Sequence, residues 1–234
     1  MEALELQQTY QDLTTAHVAD AALRLGVPLR CAPATVRPLW DGVHLVGRAR
    51  PARHYGSVDV FLEALERAAP GEVLVVDNAG RADESCVGDL MALEARQAGL
   101  GGIVIWGLHR DTAELRAIGL PVFSQGALPA GPQRLDPQEP EALTSARVGE
   151  HLVTADDVVL ADDDGVLFVP LARAADLAAA AAAIRDTERR QAARMRLGTG
   201  LRAQVAFADY LAARDLHGAT FRQHLRAIGG AIEE

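Results

Sequence analysis

Two carboxylates and a guanidinium in this chain are spaced so that they can work together. Asp89 stands in Gly88-Asp89-Leu90-Met91, and Arg110 and Asp111 follow one another some twenty residues later. The stretch between them predicts a helix from Gly88-Asp89, with an apolar pattern at Leu90, Met91, Leu93 and Ala95, ending near Gly99. Ile103 to Trp106 then reads as a strand covered on both faces, and Gly107 opens a loop that closes on His109, Arg110 and Asp111. Such a unit can bring the start of the helix and the loop after the strand to one mouth. Two carboxylates there suit a hard dication that keeps part of its water. A guanidinium fork and the amides at a helix start suit an anionic substrate. The plainer alternatives are a capping box at Asp111-Thr112-Ala113-Glu114, a cap at Asp89 and a surface ion pair for Arg110. The residues alone leave both readings open.

Composition narrows the chemistry. All 23 basic residues are arginine, and there is no lysine. Schiff-base aldolases, pyridoxal enzymes and Walker-type phosphate loops are therefore excluded, because a guanidinium stays protonated and cannot replace the amine. An oxo acid cleaved through an enolate would need a metal as electron sink. A net charge of -9 argues against nucleic-acid binding. Arg185, Arg189, Arg190, Arg194 and Arg196 are interspersed with Asp186 and Glu188, so they read as a solvated face or a subunit contact. The two cysteines give no disulfide framework, and Cys86 reads as a small apolar residue. With no apolar segment after Met1, the chain is read as cytoplasmic and without a membrane contact; the alanine run 178–183 is too short to cross a bilayer. Asp162-Asp163-Asp164-Gly165 lacks the alternation of a calcium loop and reads as a hairpin turn. His17 with Asp20 reads as a polar edge or subunit contact, and His54 is a further candidate near the pocket.

The elements around the mouth follow from period and punctuation. Helices are expected up to Leu25 with a cap at Thr14 or Thr15, over Ser57–Ala69, and over Thr112–Ile118. Strands are expected in Val36–Arg50 around a hairpin signal at Asp41-Gly42, at Glu72–Asp77, at Pro121–Ser124 and as a pair within Asp156–Val169. Gly126 to Pro140 is a proline-rich excursion. Ala172–Leu197 is a long helix, and the rest is helical in two pieces broken near Gly218. The organisation is one α/β domain, residues 1–170, followed by a C-terminal helical extension, residues 171–234, that serves as an interface.

PGEVLVVD, VGDLMALEARQAGLGGIVIWGLHRD, IGLPVFS and DDVVLADDDGVLFVP occur in this order, and on them the chain resembles the RraA-like family. That family includes metal-dependent 4-hydroxy-4-methyl-2-oxoglutarate / 4-carboxy-4-hydroxy-2-oxoadipate aldolases and the regulator of ribonuclease E activity. The resemblance covers roughly Thr15 to Leu197. It implies a swivelling phosphohistidine-type α/β/α sandwich and a homotrimer, sometimes stacked as a hexamer. By position it implies Asp111 as the direct ligand of Mg²⁺ or Mn²⁺, Asp89 as a ligand through water, and Arg110 as the clamp on the substrate's carboxylate or oxo group. The amides of Gly88, Leu90 and Met91 would bind the substrate carboxylate. Glu188 of a neighbouring subunit stands nearest to a further acid of the aldolases, although the Gly-Glu that many of them carry is Gly200-Leu201 here. His109 replaces a small or aliphatic residue and would donate a proton or hydrogen bond, or restrict the substrate. The activity implied is a pyruvate-releasing lyase on a 4-hydroxy-2-oxo di- or tricarboxylate, with oxaloacetate decarboxylation beside it. The alternative is a non-catalytic regulator of a ribonuclease.

Overall fold

The computed structural model describes residues 1–228. Its centre is a seven-stranded sheet in the order β1-β7-β5-β3-β2-β10-β11. The strands are β1 (Arg37–Pro38), β2 (Leu45–Arg53), β3 (Val73–Asp77), β5 (Gly102–Trp106), β7 (Val122–Ser124), β10 (Asp157–Asp162) and β11 (Gly165–Pro170). β2, β3, β5 and β7 run parallel, so their C-terminal ends Arg53, Asp77, Trp106 and Ser124 share one edge. β1, β10 and β11 are antiparallel to their neighbours.

Period-two alternation divides the apolar residues between the faces. Leu74, Val76, Ile103 and Ile105 point to α3 (Asp59–Glu66), α4 (Asp89–Gln97) and α5 (Thr112–Ile118), which contribute Val60, Phe61, Met91, Ala95 and Leu115. Val73, Val75 and Val104 point the other way, into a core shared with Phe123, Phe168 and the hairpin of β8 (Ser145–Val148) and β9 (His151–Thr154). The sheet curls. The outer face of β10 and β11 presents Val158, Leu160, Leu167 and Val169 to α1 (Ala3–Tyr10), α2 (Thr15–Arg24) and α6 (Ala174–Arg196). No helix among the described residues is long and apolar enough to cross a membrane.

Most expected elements are present, with two corrections. Asp41-Gly42 does not close a hairpin: β1 pairs with β7, while β2 pairs with β3 and β10. A two-residue turn signal fixes the chain reversal locally but not the strand's partner. The tail forms three pieces, α7 (Leu201–Gln204), α8 (Phe207–His217) and α9 (Phe221–Ile228), with breaks at Ala206 and Gly218, both left-handed. The part of that expectation beyond residue 228 lies outside the described residues. The triple-aspartate turn is a hairpin whose acids are used within the fold. Asp162 accepts from the Thr15 N–H and hydroxyl at 2.8 and 2.7 Å, and Asp163 accepts from the Gly42 N–H at 2.8 Å.

Candidate active site

A miniature parallel sheet brings the two halves of the mouth together. β4 (Ser85–Val87) pairs with β6 (Leu108–His109), and the Arg110 N–H extends the ladder by donating to the Val87 carbonyl at 2.9 Å. The residues that follow each short strand are Gly88-Asp89 on one side and Arg110-Asp111 on the other. They therefore meet.

Asp111 does not make the capping bond that its sequence offers. It occupies the N-cap position of α5, yet its side chain makes no capping bond there, and its backbone is left-handed at φ 59°, ψ 43°. The carboxylate turns across the gap instead. Its Oδ2 accepts from the Asp89 N–H at 3.3 Å and lies 3.4 Å from Arg110 Nε. One carboxylate thus serves the open N-terminus of a different helix, where the exposed amides and the dipole favour negative charge. Gly88 is the N-cap residue of α4, and a Cβ built there would lie 2.4 Å from Asp111 Oδ2 and 3.1 Å from Arg110 Nε. Any larger residue there displaces the carboxylate from that space.

Asp89 is the first residue of α4 rather than its cap, and its Oδ1 accepts from the Leu90 N–H at 2.7 Å. The Leu90 amide is therefore engaged, and an incoming carboxylate reaches it only by displacing that of Asp89. Arg110 is half exposed, and its guanidinium runs beneath Gly131, where a Cβ would come within 2.9 Å of Nη1. Asp111 Oδ1 and Asp89 Oδ2 accept no hydrogen bond among the described residues.

His109 does not face the mouth. It is 3% exposed, with Nδ1 2.7 Å from Ser124 Oγ and Nε2 3.0 Å from Thr112 Oγ1. Burial pushes its pKa below the ordinary value, and the Arg116 charge adds to this. It is a neutral strut between β7 and the start of α5. Its two hydroxyl partners and Gly131 were not singled out from sequence. The Ser124 signal was available, as a polar residue ending an otherwise apolar strand.

Glu188 sits on α6 and pairs with His17 of its own chain at 3.2 Å, so the fold of one chain does not bring it to Asp89 and Asp111. No group of three or more His, Cys, Asp or Glu able to hold a metal forms among the described residues. Cys86 is partly buried, and burial drives its thiol pKa upward, as fits an inert packing residue. His54 lies among the lining residues of a separate cavity.

A family model, RraA-like: Aldolase/RraA, matches residues 15–168. The chain belongs to the RraA-like family. A relative from Halalkalibacterium halodurans, named "Putative 4-hydroxy-4-methyl-2-oxoglutarate aldolase", is 28% identical over 137 residues, which are 58% of this chain and 64% of that protein. Protein DlpA of Legionella pneumophila is 28% identical over 185 residues, 75% of this chain but 29% of that protein. The chain thus spans less than two-thirds of either relative. Among solved structures, Streptomyces coelicolor RraAS2, described as an unusual member of the RNase ES inhibitor RraA protein family, is 28% identical. It matches 82% of this chain and 98% of its own at a TM-score of 0.67. The RraA-like family therefore includes proteins named for a lyase activity and proteins named as ribonuclease inhibitors.

Proposed function

We propose that this protein is a divalent-metal-dependent carbon–carbon lyase that cleaves a 4-hydroxy-2-oxo di- or tricarboxylate to pyruvate and decarboxylates oxaloacetate as a side activity. The observation that carries this reading is the Asp111 carboxylate, turned away from its own helix onto the start of α4 beside Arg110. The aldolase named among its relatives supports it.

The residues fit Mg²⁺ or Mn²⁺. Asp111 is about one-third exposed, with one oxygen unengaged, and Asp89 offers a second hard oxygen; two carboxylates at an open mouth match an ion that retains water. In this reading Asp111 holds the ion directly and Asp89 through water. When bound, the ion supplies a sink for the negative charge left on the oxo acid as the carbon–carbon bond breaks. Arg110 binds the carboxylate or oxo oxygen with its fork, and the amides of Gly88, Leu90 and Met91 orient the same carboxylate once it has displaced that of Asp89 from the Leu90 N–H. The proton that leaves the 4-hydroxyl would pass to water positioned by Asp89. We extend the reading to a cytoplasmic homotrimer or hexamer of the phosphohistidine-type sandwich, with residues 171–234 as its helical interface. Glu188 from a neighbouring subunit, released from His17, supplies a further acid.

Pyruvate release from oxaloacetate tests the proposal. It should require Mg²⁺ or Mn²⁺, stop on adding EDTA and be lost in Asp111→Ala. Release indifferent to both treatments overturns it. The likeness to RraAS2 supports a second reading, a non-catalytic regulator of a ribonuclease. Capture of a ribonuclease with no metal-dependent pyruvate release decides for that one.

A further inference from the structure

An open cavity of about 490 Å³ lies at the C-terminal ends of β2, β3 and β5, and its lining includes none of Gly88, Asp89, Arg110 and Asp111. Four arginines reach it from different parts of the chain: Arg53 ends β2, Arg81 follows β3, Arg134 comes from the proline-rich excursion, and Arg147 from β8. The Trp106 indole forms a wall. A Cβ on Gly80 would lie 2.7 Å from that ring, so the turn after β3 is laid against it.

Two of these arginines are held from within the fold and blocked at the rim. Arg53 Nε lies 3.6 Å from Asp77, whose side chain is 8% exposed. Arg134 donates to Glu84, which is 5% exposed, through Nε at 3.1 Å and Nη2 at 2.9 Å. Their outward nitrogens meet different acids. Arg53 Nη1 pairs with Glu139 and Arg134 Nη1 pairs with Asp136, both more than half exposed and both on the excursion. The buried pairs fix the direction of each guanidinium, whereas an exposed pair contributes little to stability and is readily exchanged. Arg147 is exposed, and its guanidinium has no acid partner among the described residues.

We propose that this cavity binds a small organic anion carrying two or three carboxylates. Asp136 and Glu139 stand in for the ligand in its absence. The incoming carboxylates replace theirs on Arg134 and Arg53, and a further one binds Arg147. The volume is that of a small-molecule site, and carboxylate on guanidinium is the geometry already present at the rim. The proposal shares no residue with the metal mouth and stands whether or not the lyase reading holds.

Tricarballylate (propane-1,2,3-tricarboxylate) titrated calorimetrically into the full chain, freed of metal on a chelating resin and in a buffer without carboxylates, is the test. Saturable binding is expected. Arg147→Ala removes an exposed, unpaired side chain and so leaves the fold intact; it should weaken binding by ~10-fold or more, the size of a charge-assisted hydrogen-bond pair. The double variant Asp136→Asn, Glu139→Gln should bind more tightly than the parent, an effect that a merely structural role of these acids would not produce. Asp111→Ala should bind normally. No binding by the parent chain, binding insensitive to Arg147→Ala, or weaker binding in the double variant overturns the proposal. In a pyruvate-release assay, competitive inhibition by tricarballylate that disappears in Arg147→Ala identifies the far carboxylates of the substrate as the occupant. Inhibition or activation without a change in KM identifies a separate effector.

Discussion

At Asp111 a left-handed backbone costs an L-residue on the order of 1 kcal/mol, less for aspartate than for most. No cap on its own helix offsets that cost, since the side chain makes none. The strain is instead the condition for aiming the carboxylate at Gly88. Two substitutions separate stability from activity here. Asp111→Gly relieves the backbone and gives up one long hydrogen bond, so its Tm should equal or slightly exceed that of the parent while metal-dependent pyruvate release is lost. A fall of several degrees would instead make Asp111 a structural cap. Gly88→Ala acts from the opposite side. Its φ of -130° suits any residue, but its Cβ would sit 2.4 Å from Asp111 Oδ2, so the carboxylate must move. We expect a destabilisation of ~1–3 kcal/mol by denaturant unfolding, and pyruvate release reduced at least 10-fold. Unchanged kinetics would show that the carboxylate position is immaterial.

The mouth is assembled by elements too short to be read from pattern. β4 and β6 have three and two residues, and neither carries an alternation that a period-two search can detect. By contrast, α4, β5 and α5, which flank them, were legible from apolar spacing and terminating glycines, and their order alone placed Asp89 near Arg110-Asp111. The β8–β9 hairpin escaped for a similar reason, because its burial comes from packing over Val75 and Val104, a tertiary fact. The arginine cavity was invisible because its residues come from five separated segments and signal nothing singly. His109 was noticed as unusual, but its role depends on Ser124, fifteen residues away. The strut yields its own prediction. His109→Ala leaves the Ser124 and Thr112 hydroxyls without their shared partner and opens a hole beneath the Arg110-Asp111 turn, which should cost ~2–4 kcal/mol. His109→Gln, which can still reach one hydroxyl, should recover part of both stability and pyruvate release. If the mouth is sound and His109 incidental, kinetics should be indifferent to either change.

Across the molecule, the parallel strands end at one edge, and that edge carries both the Asp89–Asp111 mouth and the arginine cavity, each braced by a buried neutral histidine. His54 stacks on Phe61 with centroids 5.2 Å apart and lies 2.8 Å from Asn78 Oδ1, while His109 spans Ser124 and Thr112. Burial lowers the pKa of both below 6.5. The folded state therefore resists protonation at sites where the unfolded chain accepts it. Below about pH 6.5 the unfolded state binds more protons, so stability falls with pH until the folded-state pKa values are passed. The contribution is fully present above the unfolded value and is lost on acidification, in a window above the one in which Asp59, held low by the Tyr55 hydroxyl, becomes protonated. Tm measured from pH 8 to pH 5 should be level at the alkaline end and decline below about 6.5. In His54→Gln the glutamine amide can keep the Asn78 contact without titrating, so the decline should be shallower. A Tm that stays level to pH 5, or a variant with the parent's slope, would show that these histidines are not what couples this edge to pH.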